Sequence, residues 1–130
     1  MPAPAFHAFS SREAVAEALT DTLTHTLREA VSLHGAASLI LPGGTTPRPF
    51  FHVLGQRPLP WQAISVGLTD ERWAPEKNSE SNEFQLRRIL PPKAAFVSLA
   101  GSAPDPETAA RDAEKNLRAM PHPYDAVVLG

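Results

Sequence analysis

The sequence predicts an α/β protein whose doubly wound, mostly parallel sheet carries helices on both faces. Short apolar runs alternate with longer segments of helical periodicity, as in βαβ units. The runs lack the polar–apolar alternation of a half-exposed strand, which is typical of strands buried on both faces. No repeat or linker interrupts the pattern, so residues 1–130 are expected to form one domain of Rossmann-like architecture. The four predicted strands are 37–41, 63–68, 95–99 and 124–130.

The first helix is expected to begin after Ser10 and to end before Gly35. Ser10 and Glu13 match the S-x-x-E capping box. Gly35 suits the left-handed residue that commonly follows a helix. Apolar residues recur every four positions and define the predicted buried side of this helix: Val15, Leu19, Leu23, Leu27 and Val31.

Three further helices are expected between the strands. Residues 47–54 form a short amphipathic segment that Gly55 closes. A polar loop after the second strand enters a helix near residues 79–81. Asp105 followed by Pro106 predicts the start of the last helix, because Asp is a favoured N-cap and Pro is favoured at the first helical position.

The composition excludes several classes of function. A formal net charge of -2 gives no basic surface for nucleic acid or for an anionic membrane. No apolar run approaches the roughly 20 residues of a membrane helix. The absence of cysteine excludes disulfides, thiolate catalysis and cysteine-ligated metals. The first residues lack the pattern of a secretory signal, so we expect a cytoplasmic protein.

The first informative strand end holds two glycines and two hydroxyl residues. Ligands of such sheets bind beyond the carboxyl ends of the strands. Glycines allow the backbone to turn tightly and approach a ligand, and the start of the next helix favours an anion. A phosphate site and a plain strand-to-helix connection with an N-cap both remain open, although the P-loop and G-x-G-x-x-G spacings are absent. The residues concerned are Gly43, Gly44, Thr45 and Thr46.

The second strand ends in a charged cluster, Asp70, Glu71, Arg72 and Trp73. Arginine can bind phosphate through two hydrogen bonds, and a carboxylate can orient a sugar hydroxyl or a water molecule. The alternative is a solvated turn with a local arginine–carboxylate pair. Trp73 is expected to be a packing residue.

The fourth strand ends at Gly130. A parallel strand normally leads into a helix that covers one face of the sheet. We therefore expect that this chain itself leaves apolar surface open beside the strand. Either self-association or a partner covers that surface, or the domain is C-terminally incomplete.

Three stretches together resemble the 6-phosphogluconolactonase family, within the wider glucosamine-6-phosphate isomerase and 6-phosphogluconolactonase superfamily. The resemblance covers essentially the whole chain. Its specific part is the Asp-Glu-Arg-Trp sequence, followed by Ser81-Asn82-Glu83 and then Arg87-Arg88. The glycine–threonine corner is shared across the superfamily. In the deaminase branch an aromatic residue usually replaces the arginine, so Arg72 favours the lactonase branch. The stretches are residues 39–54, 64–91 and 124–130.

This resemblance implies a carboxylic ester hydrolase of the pentose phosphate pathway that opens 6-phosphoglucono-δ-lactone without an obligatory metal or organic cofactor. It implies that Arg72 binds the phosphate, that Asp70 lies in the active-site crevice and that Arg88 is a second basic contact. The residues that it assigns to the sugar-phosphate site are Gly43, Gly44, Thr45 and Thr46.

One family motif has no counterpart. In the family a Gly-x-Asp-Gly-His-x-Ala-Ser loop follows the strand matching 124–130, and its histidine is the proposed general base. None of the five histidines stands in such a motif. We therefore expect an N-terminal portion of a lactonase, with little activity by itself. A glucosamine-6-phosphate type isomerase or deaminase and a non-catalytic sugar-phosphate-binding fragment remain as alternatives.

Overall fold

A four-stranded parallel sheet forms the centre of the protein. The computed structural model describes residues 2–74 and 79–130, so part of the predicted polar loop, residues 75–78, lies outside the described residues. The strands are β1 (Ala37–Leu41), β2 (Ile64–Leu68), β3 (Ala95–Phe96) and β4 (Ala126–Val127). Their order is β3-β2-β1-β4, and every pairing is parallel. The predicted α/β fold class is confirmed.

The helices connect the strands in the alternating order that the sequence predicts. The chain moves outward from β1 through β2 to β3 and then returns to the other side of β1, where β4 pairs. Such a reversal of strand order is the place where open α/β sheets bind ligands. The helices are α1 (Arg12–His34), α2 (Arg48–Gly55), α3 (Asn82–Arg87) and α4 (Pro106–Ala119), with a 3-10 turn at Trp61–Ala63.

The two faces of the sheet are covered by different helices. Leu39 and its β2 partner Val66 are fully buried in the core cluster that contains residues of α1, α2 and α3. The next pair, Ile40 and Gly67, faces the opposite way, because successive strand residues alternate in direction. A Cβ atom at Gly67 would lie 3.5 Å from Leu117 Cδ2, so α4 covers this face closely.

The start of α1 differs from the prediction. Ser11, not Ser10, is the N-cap, and its hydroxyl accepts a hydrogen bond from the Ala14 amide at 3.1 Å. The predicted capping box with Glu13 is therefore wrong by one residue. Val15, predicted to be buried, is 43% exposed, because a four-residue spacing drifts by about 40° per step around a helix. The left-handed Gly35 at the other end is confirmed, with φ of 79°.

The last helix begins as predicted. The Asp105 side chain accepts from the Thr108 amide at 2.8 Å and from the Thr108 hydroxyl at 2.9 Å. The hydrogen bond from the Thr108 amide, and after it the one from the Thr108 hydroxyl, lowers the pKa of the Asp105 carboxyl. Pro106 occupies the first helical position. Across residues 2–74 and 79–130, no helix combines the length and the apolar character that crossing a bilayer requires.

Both outer strands are shorter than predicted. β3 was expected over 95–99 and β4 over 124–130, but each has two residues. Both are edge strands of the described sheet. The hydrogen bonds of each therefore end where its backbone diverges from the single strand beside it. One further bond continues each ladder: Val97 N–H donates to Val66 O at 2.8 Å, and Val128 N–H donates to Ile40 O at 2.9 Å.

Apolar side chains around β4 are exposed, as the sequence suggests. Val127 is 52% exposed, Leu129 is 78% exposed and Tyr124 is 39% exposed. β4 pairs with β1 along one side. These three side chains leave open apolar surface beside the fourth strand.

A polar clamp holds β4 in register against β1. Ser38 is fully buried, and its amide donates to Asp125 Oδ2 at 2.8 Å. In return, the Asp125 amide lies 3.1 Å from Ser38 Oγ and 3.2 Å from Ser38 O. The Ser38 amide is buried and lies just before the ladder between β1 and β4 begins, so no backbone group of another described strand reaches it. The Asp125 carboxylate provides its acceptor.

Replacement of the clamp carboxylate should destabilise the fold. We expect Asp125→Ala to lower the free energy of unfolding by about 1–3 kcal/mol, because the buried Ser38 amide loses its acceptor. Urea denaturation measures this, with Asp112→Ala, an exposed carboxylate on α4, as the matched control. Equal stability of the two variants would contradict the role of the clamp.

Candidate functional site

Three strand ends lie side by side at one edge of the sheet. Thr69 N–H, just past β2, donates to Leu41 O at the end of β1 at 2.9 Å. On the other side of β1, a Cβ atom at Gly130 would lie 3.3 Å from Pro42 Cβ. The residues that follow β4, β1 and β2 therefore share one edge, the edge at which parallel sheets bind ligands.

The glycine–threonine corner connects β1 to α2 without a side-chain cap. Gly44 has φ of 92°, a conformation that favours glycine. Pro47 is the N-cap of α2, and no side chain bonds to the helix start. The hydroxyls of Thr45 and Thr46, both exposed, are thus not used as caps.

The first amides of α2 are poorly placed to bind a ligand. Arg48 N–H donates to the Thr45 carbonyl at 3.2 Å, and the next residue, Pro49, has no N–H. An anion at this corner would therefore be bound by loop amides and threonine hydroxyls more than by the helix start that the sequence suggests.

Asn82 joins this corner to the end of β2. Its side chain is 5% exposed, and Nδ2 donates to the Asp70 carbonyl at 3.2 Å. The side chain also fills the space beside Gly43, where a Cβ atom would overlap it. Gly43 is thus required by a protein contact, not only by backbone flexibility. Asn82 belongs to the Ser81-Asn82-Glu83 stretch that carries the family resemblance, but the sequence assigned it no role in the site.

Glu71 holds the first turn of α3 in place. From the described residues its carboxylate accepts four hydrogen bonds, one from the Arg72 amide at 2.7 Å and three from groups at the helix start. The amide of Asn82 is 2.6 Å away, and the Ser81 hydroxyl and the Glu83 amide are each 2.9 Å away. A carboxylate at a helix N-terminus is favoured by the helix dipole. Glu71 therefore has a structural role that its sequence position did not reveal.

Asp70 is the more available carboxylate of the pair. Its side chain is exposed, and its oxygen Oδ1 has a long contact of 3.4 Å with the Thr69 hydroxyl. Asp70 stands at the same strand end as Glu71 but does not cap α3. The sequence could not distinguish these two adjacent carboxylates, and the structure shows that they differ in their hydrogen-bond partners.

Arg72 and Trp73 line a cavity on the α4 side of the sheet. The cavity has a volume of about 600 Å³, and α4 contributes Ala109, Ala113 and Leu117 to its wall. Trp73 is 54% exposed, so the expectation that it is a packing residue is wrong. Among the described residues, no carboxylate forms an ion pair with Arg72, which was the alternative considered for this turn.

The glycine corner opens toward a different hollow. Gly43 and Gly44 line a narrow space of about 10 Å³ between α2 and α3, together with Arg48 and Asn82. This hollow and the cavity of Arg72 have no lining residue in common. The structure therefore brings the two strand ends together through Asn82, while the Arg72 side chain and the glycines line separate spaces.

Arg88 lies beyond the corner, between α2 and α3. With Arg48, His52, Gln85 and Ile89 it lines a cavity of about 360 Å³. Arg88 lines neither the hollow beside Gly43 and Gly44 nor the Arg72 cavity, so the structure does not bring this predicted second basic contact to either space. Among residues 2–74 and 79–130, no group of three or more His, Asp or Glu side chains is placed to hold a metal ion.

Comparison with known proteins gives a consistent result. Residues 10–130 match the family model described as glucosamine-6-phosphate isomerases/6-phosphogluconolactonase. A 6-phosphogluconolactonase of Rhizobium meliloti (strain 1021) is 38% identical over 95% of this chain and 55% of its own length. A 6-phosphogluconolactonase of Pseudomonas aeruginosa is 41% identical over 80% of this chain and 45% of its own.

A solved structure extends the match to three dimensions. The crystal structure of a 6-phosphogluconolactonase from Shewanella baltica OS155 superposes with a TM-score of 0.89 at 33% identity. It covers 94% of this chain and 54% of the crystallised one. The chain therefore spans about half the length of the relatives that it matches.

A double-mutant cycle tests the contact between Gly43 and Asn82. We expect Gly43→Ala to cost about 1–3 kcal/mol of unfolding free energy, because the new methyl group overlaps the Asn82 side chain. In an Asn82→Ala background the same substitution should cost less than half as much. Gly101→Ala, at an exposed left-handed position with open space, should cost the same in both backgrounds. Urea denaturation of each variant gives these values, and equal costs for Gly43→Ala would refute the contact.

Proposed function

Because this chain belongs to the glucosamine-6-phosphate isomerase/6-phosphogluconolactonase family, we propose that it binds the sugar phosphate in the hydrolysis of 6-phosphoglucono-δ-lactone to 6-phosphogluconate. The two relatives above carry the lactonase name, and Arg72 in place of an aromatic residue favours the same branch over the isomerase or deaminase. The reaction belongs to the pentose phosphate pathway of the cytoplasm and needs no metal or organic cofactor.

The observation that carries this proposal is the junction made by Asn82. It connects the carbonyl of Asp70 with the hollow beside Gly43, so the two candidate strand ends form one continuous edge. Neighbouring strands lie about 5 Å apart. A sugar phosphate that lies across this edge, outside the two separate hollows, can therefore contact both ends.

The proposed phosphate contacts come from both sides of this edge. The loop amides of Gly43 and Gly44 and the hydroxyls of Thr45 and Thr46 are neutral donors, and no side chain of the loop caps α2. Arg72 supplies the positive charge. Its side chain is exposed and has no carboxylate partner among the described residues, so its donors are available to an anion.

Hydrolysis requires a base in addition to these contacts. Water attacks the lactone carbonyl carbon and a base accepts the water proton. The base returns the proton to the ring oxygen, which leaves the tetrahedral intermediate as a hydroxyl group. A positioned base contributes about 10²–10⁴-fold. The histidine loop that the family resemblance implies for this role has no counterpart in the sequence. The contribution proposed for this chain is binding remote from the reacting carbon, which orients the ring, with Asp70 as the carboxylate beside it.

Binding of 6-phosphogluconate tests the proposed site. Calorimetric titration should show saturable binding, and Arg72→Ala should weaken it at least about tenfold, since a hydrogen bond to a charged group is lost. Amide resonances of residues 43–46 should shift on binding. Arg111→Ala, an exposed arginine on α4, serves as the control for the lost charge. Unchanged affinity in Arg72→Ala, or no saturable binding to the native chain, would contradict the assignment.

The chain assayed alone should open the lactone no faster than the spontaneous reaction. The reason is that the binding groups are present while the expected histidine base is not. A pH-stat assay with freshly prepared lactone measures the rate, and an authentic lactonase verifies the substrate. Acceleration well above the spontaneous rate that persists in a repurified sample would overturn this expectation.

A further inference from the structure

The cavity between α2 and α3 has a distinct chemical character. Arg48, His52 and Arg88 contribute three basic side chains to a space of about 360 Å³, and Gln85 and Ile89 complete the lining. No carboxylate is among these described lining residues. We propose that this cavity binds the phosphate group of a small phosphorylated molecule, at a site separate from the edge where Asp70 and Arg72 stand.

The charge in this cavity is not neutralised by the fold. Other arginines form ion pairs: Arg57 with Glu17 and Asp21, Arg87 with Glu83, and Arg118 with Glu114. Within residues 2–74 and 79–130, Arg48 and Arg88 take part in none of the ion pairs. Two guanidinium groups that share a hollow without an acidic partner favour an anion there.

Both guanidinium groups are already oriented. Arg48 Nη2 donates to Gln85 Oε1, and Gln85 Nε2 in turn donates to the Ser79 carbonyl at 2.5 Å. The Arg88 guanidinium lies over the Phe84 ring, 5.6 Å from its centre. Each arginine uses one of these contacts and keeps further N–H groups for a ligand, since a guanidinium carries five donors. Groups fixed in advance lose less entropy on binding.

The size of the cavity favours a small ligand. Small-molecule sites have volumes of about 300–1,000 Å³, so this space matches a phosphate group with a short organic part. A nucleic acid would need an extended basic surface, and the chain has a formal net charge of -2. The site therefore fits a phosphorylated metabolite better than a polyanion.

The cavity is separate from the one that Arg72 lines but borders the glycine corner. Arg72 lines the cavity beside α4, which shares no residue with the cavity between α2 and α3. Arg48, Gln85 and Ile89 also line the narrow space beside Gly43 and Gly44, whereas His52 and Arg88 do not. Substitutions at Arg88 and Arg72 therefore separate the two sites.

Inorganic phosphate is the probe for the experiment. Titration of the intact chain, followed by amide chemical shifts, should show saturable binding with the largest shifts in residues 48–52 and 85–89. Arg48→Ala and Arg88→Ala should each weaken it at least about tenfold. Arg111→Ala should bind phosphate as the native chain does, and Arg72→Ala should keep the native phosphate-induced shifts of residues 48–52 and 85–89. Retained native shifts outside the cavity verify that each variant is folded.

Several outcomes would overturn the proposal. One is the absence of saturable phosphate binding to the native chain, and another is native affinity in folded Arg88→Ala. Loss of phosphate binding in Arg72→Ala, with native phosphate binding in both Arg48→Ala and Arg88→Ala, would assign phosphate to the sheet edge instead. Binding of a single-stranded oligonucleotide without binding of phosphate would show a surface for nucleic acid in place of this site.

Discussion

The candidate site depends on one partly buried interaction, the hydrogen bonds that the first turn of α3 donates to the Glu71 carboxylate. Four donors converge on this carboxylate, and they come from the β2 end and from the first turn of a helix ten residues later. The cap fixes the direction in which α3 leaves the sheet edge. It thereby presents Asn82 to Gly43, and one turn later Gln85 to Arg48. Without this cap, neither the glycine corner nor the basic cavity has a defined wall.

The sheet topology explains why the chemistry is concentrated at one edge. β1 is paired on both sides and buried at all five positions, so the start of the loop that follows it is held by neighbouring strands on both sides. Crossovers on one face lead to β2 and β3, and α4 crosses the other face to β4. The loop after β1 therefore stands between two sets of helices. Cavities on the two faces consequently receive different side chains, apolar beside α4 and basic between α2 and α3.

Sequence reasoning succeeded where a signal was local. The buried β1 strand, the left-handed Gly35 and the Asp105 cap all follow from neighbouring residues. It failed where the deciding contact was distant. Ser10 and Ser11 are equivalent by type, and only the backbone path selects Ser11. Glu71 cannot be told from its neighbour until α3 folds against it.

The candidate site shows the same limit. The sequence predicted that the corner and the charged strand end share an edge, because parallel strands end together. It did not predict that Arg72 and the glycines line separate hollows, since side-chain direction depends on packing around each loop. Trp73 is exposed for a similar reason, as the α4 wall beside it leaves a cavity instead of filling it.

The contact between Gly43 and Asn82 has an evolutionary consequence. A side chain at position 43 overlaps Asn82, whereas a smaller residue at position 82 leaves Gly43 undisturbed. A change at position 82 therefore lowers the cost of a later change at position 43, so the order with position 82 first is favoured. Lineages that keep asparagine at position 82 should also keep glycine at position 43, so the residues at these two positions should vary together among descendants of this sequence.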